Sequence, residues 1–299
     1  MKVALCLALG LSSLRVFGFL TDPWLSKNDI HDVIGEPARA VRQTEAPQDL
    51  KVVTWNIERG QEYDEILSVL RTLNADVLLL QEVDRDCRRT KYRNVARDLA
   101  TALDMNWVAA GEFQEIGQAR SRIPAITGQA ILSRFPIEEA TALPFKEQDR
   151  WRWSINPVQP RRGGRMALKA RTGGVVLYNT HIESGGNERL QHAQMDEIIA
   201  DQATLAVDLP VLVGGDFNNS AIVRSLSLSS LTHASFIDAL GANAAERGPT
   251  SRGQTHPIDW IFIKHLAPAA GRVVHADAAS DHSPVMVALG ALAALAGTR

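Results

Sequence analysis

Several polar residues of this chain stand where an apolar run stops, a place from which a rigid scaffold can aim a side chain into a cleft. Asn56 closes Val52-Val53-Thr54-Trp55, Glu82 follows Val77 to Gln81, and His181 closes Val175 to Thr180. Gly214-Gly215-Asp216-Phe217-Asn218-Asn219 continues another short apolar run, and Asp281-His282 comes just before Ser283-Pro284 and the last one. A carboxylate or carboxamide so placed is a hard oxygen ligand suited to magnesium, and an imidazole is suited to proton transfer near neutrality. Each residue also has an ordinary use: Asn56 as a turn amide, Glu82 as a surface carboxylate, His181 as a hydrogen-bonded core residue, the Gly-Asp-Asn segment as a tight bend. Asp259 is different in kind. It lies inside the apolar run Pro257 to Phe262, where an unpaired carboxylate is costly, so it needs a partner. His282 is the partner inferred, oriented by Asp259 through a hydrogen bond; the competing reading is that Asp259 caps a turn.

The elements that must position these residues follow from periodicity. Leu50 to Ile57 reads as a strand, Tyr63 to Leu73 as a helix with Ile66, Leu67, Leu70 and Leu73 on one face, and Val77 to Gln81 as a buried strand. Tyr92 to Leu103 reads as a second helix, Gly128 to Ser133 and Gly174 to Ile182 as strands, and the stretch between those two strands as the least regular part. A long helix is expected over Asn187 to Ala206, then strands at Val211 to Gly214, Ile258 to Ile263 and Val285 to Leu289. Strands outnumber helices without strict alternation, which points to a sheet-rich layered α/β domain rather than a doubly wound sheet.

The chain has 299 residues, 45% hydrophobic, which suits a soluble globular protein with a sizeable core. A formal net charge of -2 gives no global positive field for nucleic acid, so a polyanionic partner must be met locally. Two cysteines, Cys6 and Cys87, make neither a disulfide framework nor a thiolate metal cage. Residues 1–48 read as a lead-in, 49–290 as one catalytic domain and 291–299 as a tail. Within the lead-in, Lys2 precedes apolar runs Val3 to Leu14 and Val16 to Leu20, as in a signal peptide. Against cleavage, the nearest small-x-small site, Ala38-Arg39-Ala40, lies far downstream, and Arg15 is uncomfortable in a bilayer. Export, tethering and a helix packed on the domain all stay open.

Taken in order, the segments TWNI, LLLQEV, YNTHIE, GGDFN, PIDWIF and SDHSPV resemble the endonuclease/exonuclease/phosphatase superfamily, the deoxyribonuclease-like fold, over about Leu50 to Leu289. The resemblance implies a four-layer α/β sandwich, two mixed sheets face to face flanked by helices, and metal-dependent cleavage of phosphate esters. It implies Glu82 as main ligand of Mg2+, with Mn2+ as a substitute, Asn56 close to metal and phosphate, and Asp281 completing the network. It implies Asp216 as the group positioning or deprotonating the attacking water, Asn218 on a phosphate oxygen, and His282 on the phosphate, held by Asp259. His181 stands where deoxyribonuclease and sphingomyelinase-like branches carry histidine and many apurinic-site repair enzymes carry tyrosine, which leans away from repair. Neutralising a phosphate, aligning a water and protonating a leaving oxygen need several cooperating groups.

For the substrate, Asp149-Arg150-Trp151-Arg152-Trp153 and Arg161-Arg162-Gly163-Gly164-Arg165 gather arginines and indoles in a loop-like region. Guanidinium pairs with phosphate and indole stacks on bases, so Arg150, Arg152, Arg161, Arg162 and Arg165 are the expected substrate-binding residues. The same composition suits an anionic membrane surface, or a solvated basic loop over buried tryptophans. Nucleic-acid phosphodiester is placed first, since the family resembled includes many nucleases. A phospholipid or sphingomyelinase-like phosphodiesterase is the alternative, followed by a phosphatase on a soluble phosphoester. A catalytically silent binding module is disfavoured because every acidic, amide and imidazole position of the motif set is filled.

Overall fold

The computed structural model describes residues 22–36, 49–149, 160–185, 187–219, 225–241 and 247–291. The apolar N-terminal run, Arg150, Trp151, Arg152, Trp153 and the end of the tail lie outside the described residues. One sheet contains β1 (Val33–Glu36), β2 (Leu50–Arg59), β3 (Val77–Arg85), β4 (Asn106–Glu115), β5 (Ile126–Ser133), β7 (Arg161–Gly163), β13 (Leu266–Val273) and β14 (Val285–Ala291). Its order is β1-β4-β5-β3-β2-β14-β13, with β7 on β4. The other contains β6 (Ile137–Pro144), β8 (Met166–Thr172), β9 (Val175–His181), β10 (Val211–Asp216), β11 (Ile237–Asp238) and β12 (Asp259–Lys264), in the order β11-β12-β10-β9-β8-β6. Each sheet is mixed: β2 runs parallel to β3 and β9 parallel to β10. The other described pairings are antiparallel.

The four layers follow from strand alternation. Leu50, Val52, Val77, Leu79, Leu177, Leu212 and Ile261 point between the sheets and form one core. Their alternates Val53, Trp55, Leu78 and Leu80 pack under α2 (Tyr63–Leu73) and α3 (Val95–Leu103) through Ile66, Leu70 and Leu99. On the opposite side Val176, Tyr178, Val213 and Trp260 pack under α4 (Glu188–Gln202) and α5 (Leu226–His233) through Met195, Ile198 and Leu231. A short helix, α1 (Lys27–His31), capped by Ser26, leads into β1, so part of the lead-in is woven into the first sheet through β4. Among the described residues no helix is long and apolar enough to cross a membrane.

Helix α2 has the bounds its periodicity predicts and stops where Asn74 turns left-handed. The second helix is shorter than expected because Lys91 and Tyr92 have positive φ and Asn94 caps the chain only after them, accepting a hydrogen bond from the Arg97 N–H. The long helix closes at Gln202 rather than Ala206, as Thr204 and Leu205 donate three residues back and tighten its end. The largest departure is the stretch between Ser133 and Gly174, which carries β6, β7 and β8. Strand β6 lies at a sheet edge and exposes Glu138 and Glu139, so no apolar run marks it.

Gly215 shows how tightly the site-bearing strand is fitted. Its φ is +151°, and a Cβ there would fall 1.8 Å from the Thr180 carbonyl oxygen. Gly253 also has positive φ, +80°, but a Cβ there would meet nothing within 4 Å. Gly215→Ala should therefore destabilise the fold by more than about 4 kcal/mol, whereas Gly253→Ala costs about 1 kcal/mol. Urea unfolding of the two variants measures the difference, and equal losses would show that the close approach to Thr180 is not what demands glycine.

Candidate active site

Topology brings the polar run-ends together. Parallel strands β2 and β3 end on the same side as parallel strands β9 and β10, while antiparallel β12 and β14 begin there. In register, Asp216 lies beside His181 on one neighbour and Asp259 on the other. On β2 the inward series Leu50, Val52, Thr54 ends at Asn56, and on β9 the series Val175, Leu177, Asn179 ends at His181. Between them Gln81 Nε2 donates to Asn179 Oδ1 at 2.6 Å, and Asn179 Nδ2 donates to the Leu80 and Ala130 carbonyls at 2.9 Å. This buried polar bridge ties the two sheets just behind the site.

Asp216 is the hub. Its Oδ2 accepts from Asn56 Nδ2 at 3.2 Å and lies 3.3 Å from His181 Nε2 and 3.7 Å from His282 Nε2. Its Oδ1 accepts from the Asn218 N–H at 3.0 Å. Asn218, with φ +46°, sends its own Nδ2 to the Ile182 carbonyl at 3.1 Å, and its carbonyl accepts from Gln191 Nε2 at 2.6 Å. Asp216 is 1% exposed, and burial, partly offset by His282 and reinforced by Asp259, raises its carboxyl to about 7.

The expected Asp259–His282 pair is formed: His282 Nδ1 lies 2.9 Å from Asp259 Oδ2, and Thr250 Oγ1 donates to the same oxygen at 2.6 Å. Trp55 Nε1 donates to the His282 carbonyl at 2.8 Å, fixing the segment that carries the ring. Burial alone would lower His282, but Asp259 and Asp216 outweigh it and raise the imidazole to about 10. His181 goes the other way. It is held well below its ordinary value by burial, then by Arg165, His282, Arg161 and Arg59. At neutral pH the site therefore holds one imidazolium, His282, and one neutral imidazole, His181.

Removing the carboxylate behind His282 has a signed consequence for pH. With Asp259 in place the proton stays on the ring until pH approaches about 10, and in Asp259→Asn it leaves closer to the ordinary value of 6.5. If the imidazolium is the working form, the alkaline limb of the turnover profile moves to lower pH in that variant. NMR titration of the His282 ring reads the same shift directly, and an unmoved ring titration would remove Asp259 as its positioning group.

Glu82 does not sit at the edge of a strand as expected but within β3, at a bulge. Its φ is +51° and the pairing register slips between Gln81 and Val83, so Val83 takes the helix-side place that alternation would give Glu82. The bulge re-aims the carboxylate, the usual use of such an insertion beside a site. Strand β2 slips opposite it, where Glu58 and Arg59 have positive φ, and Arg59 Nη2 lies 3.3 Å from Glu82 Oε2. Burial pushes Glu82 up, but Arg59, Arg165, Arg161 and His282 hold it below the usual carboxylate range. Asp281 is next to this corner: its N–H donates to Glu58 Oε2 at 3.2 Å, while Ser280 Oγ donates to the Asn56 carbonyl at 2.7 Å.

Two donor groups could hold a divalent cation. Among the described residues, ligand atoms of Asp216, Asp259 and His282 lie within 4.8 Å of one another. Those atoms already face one another, with His282 Nδ1 2.9 Å from Asp259 Oδ2 and His282 Nε2 3.7 Å from Asp216 Oδ2. Glu82, Asp281 and Asn56, whose Oδ1 accepts from the Glu58 N–H at 3.2 Å, carry the oxygen donors that suit a hard cation such as magnesium.

Glu112 was not singled out in the sequence. It is fully buried in β4, with Oε2 3.5 Å from Arg165 Nη1 and 3.9 Å from His181 Nδ1, and Gln129 Nε2 donates to its Oε1 at 3.3 Å. Burial raises its carboxyl to about 7, with Arg165 and Gln129 opposing. The available signal was the one that exposed Asp259, a carboxylate among apolar neighbours in Ala109-Ala110-Gly111-Glu112-Phe113, and it passed because β4 was not recognised. Thr250 and Arg59 carried no comparable signal. Of the arginines expected on a loop, Arg165 is 2% exposed and set against Glu112, Arg161 and Arg162 belong to β7, and Arg150 and Arg152 lie outside the described residues.

Residues 53–282 match the sequence profile of the Endonuclease/Exonuclease/phosphatase family. Solved structures with the same fold include an endonuclease/exonuclease/phosphatase from Beutenbergia cavernae, 21% identical, with a TM-score of 0.62 and 82% of this chain aligned to 72% of that one. The human Nocturnin catalytic domain with bound sulfate is 18% identical, with a TM-score of 0.60 and coverage of 88% and 97%. The Bacteroides thetaiotaomicron mannosyl-6-phosphatase Bt3783 is 16% identical, with a TM-score of 0.58 and coverage of 80% and 99%. No curated protein matches the chain in sequence.

Proposed function

The chain belongs to the endonuclease/exonuclease/phosphatase family, and from that premise we propose that it hydrolyses phosphodiesters with the help of a divalent cation. The observation that carries the reading is the hub: one carboxylate, Asp216, met within 3.2–3.7 Å by Asn56 from one sheet, His181 from the other and His282 from the segment before β14. In this reading the Asp216 carboxylate takes a proton from the attacking water while Asn56 and the Asn218 N–H keep it aimed. The water oxygen bonds to phosphorus as the bond from phosphorus to the leaving oxygen breaks, and that oxygen takes up a proton from solvent in exchange for the one left on Asp216. His282 is the protonated ring nearest Asp216, so it offsets charge on the phosphate oxygens, and Asp259 positions it. Glu82, Asn56 and Asp281 would hold magnesium or manganese, which when bound supplies Lewis-acid neutralisation of the phosphate.

Nucleic acid is placed first among substrates, because the half-buried Arg59 and Arg161, both of which act on the charge of Glu82, suit the phosphates flanking a scissile diester. A lipid phosphodiester is the second reading, favoured by half-exposed Trp24 and Ile123 at this end of the first sheet. The test offers purified protein with magnesium DNA, RNA, phospholipid, a soluble phosphomonoester and a small artificial diester. Diester cleavage lost in Asp216→Asn supports the proposal, and turnover of the monoester alone would overturn it.

A further inference from the structure

Beyond the strand ends that carry Glu82 and Glu112, the chain makes a basic surface that the site does not use. After β3 comes the loop with Arg88 and Lys91, and after β4 the turn with Arg120, Arg122 and Ile123; all five side chains are exposed. The two loops are joined: the Arg88 N–H donates to the Gln118 carbonyl at 3.0 Å, and the Arg120 guanidinium lies 5.4 Å from the Tyr92 ring centroid. Trp24, 49% exposed, extends the face beneath Arg162, whose guanidinium lies 4.6 Å from its ring centroid. On the two loops themselves no exposed carboxylate balances the charge, the exposed Asp29 and Asp32 belonging to α1 and its C-terminal cap beyond Trp24. Asp84 and Glu115 are buried against Arg89, Asp22 is buried on the Gly117 N–H, and Asp86 is half-buried. A chain of net charge -2 thus concentrates positive charge on one face.

We propose that this face docks on an anionic lipid bilayer. Ile123, 51% exposed, sits where the turn closes through its N–H to the Arg120 carbonyl at 3.1 Å, so one turn offers an exposed apolar side chain together with the exposed Arg120 and Arg122. At a bilayer surface the isoleucine enters the interface while the guanidiniums meet lipid phosphates. A nucleic-acid strand would instead need open aromatic faces for stacking, and the rings of Tyr92 and Trp24 each carry an arginine. The route of the chain points the same way: the apolar run ending at Leu20 joins the described residues at Asp22, whose carboxylate is fixed to Gly117 on this face. Docking here concerns lipid contact alone and stands apart from the hydrolysis proposed above.

The experiment is co-sedimentation of the full chain with vesicles of phosphatidylcholine, with and without phosphatidylserine. The expected result is stronger binding when phosphatidylserine is present, lost by on the order of a hundredfold in the triple variant Arg88→Ala, Arg120→Ala, Arg122→Ala, at about fivefold per charge. Ile123→Ser should weaken binding to the same vesicles with less dependence on salt. Unchanged thermal unfolding and unchanged cleavage of a small soluble diester in the triple variant establish that fold and site are intact. Equal binding of the parent to both vesicle types, or an unaltered triple variant, overturns the proposal, since the apolar run alone would then account for the binding. So does an oligonucleotide that displaces the protein from phosphatidylserine vesicles at equal phosphate concentration.

Discussion

Asp216→Asn should lower turnover of any diester substrate by at least about a hundredfold while leaving the fold as stable as before, or more so. Asparagine keeps the shape and its one oxygen can still accept from the Asn218 N–H, but its amide nitrogen can neither accept from Asn56 Nδ2 nor take a proton from water. The stability half of the prediction has a definite sign. Burial and the neighbouring Asp259 raise the Asp216 carboxyl above its ordinary value, so its ionised form opposes folding at neutral and higher pH. The neutral amide removes that opposition. His282 keeps Asp259 as its partner in the variant, so the ring is not set loose. His282→Ala is expected to reach a comparable loss of turnover, but at a cost in stability, because Asp259 is left buried with Thr250 as its remaining side-chain partner. Steady-state kinetics beside urea unfolding separates the two. A variant Asp216→Asn that unfolds as the parent does and turns over as the parent does would falsify the assignment of the hub.

Stripping divalent cations should abolish hydrolysis, and adding magnesium or manganese back should restore it. Binding can be read without activity. At about a hundred times its dissociation constant a cation stabilises the folded chain by about 2.7 kcal/mol, enough to raise the unfolding temperature by several degrees. Glu82→Gln should erase that rise, since the carboxylate Arg59 and its neighbours keep ionised is gone. Arg59→Ala should do the reverse, saturating at lower magnesium, because the guanidinium 3.3 Å from Glu82 no longer competes for the same oxygen. Full hydrolysis in persistently metal-free protein, or a magnesium-induced rise that survives Glu82→Gln, would remove Glu82 from the metal site.

Local sequence determined those features of this protein whose cause is local. The alternation Leu50, Val52, Thr54 against Val53, Trp55 needs only a strand buried on both faces, and the Ile66, Leu70, Leu73 face of α2 needs only a helical period, so both are legible without a fold. The Asp259–His282 pair was legible for an energetic reason, because a carboxylate amid Ile258, Trp260 and Ile261 must find a partner. The order of six short motifs identified the family. What tertiary structure alone decided depends on contacts between segments far apart in the chain. Edge strand β6 packs only Ile137 and small alanines on the core between the sheets and exposes Glu138 and Glu139, too weak an alternation to announce it, and Glu112 became a neighbour of His181 only once β4 and β9 were placed in facing sheets. The bulge at Glu82 is a mismatch between paired strands, which one strand's sequence does not contain. Likewise Arg165 reads as a surface arginine until Glu112 is seen to be buried with it, and the two histidines read alike until their partners divide them. Asp259 and Asp216 keep the proton on His282, while burial and the surrounding guanidiniums take it from His181.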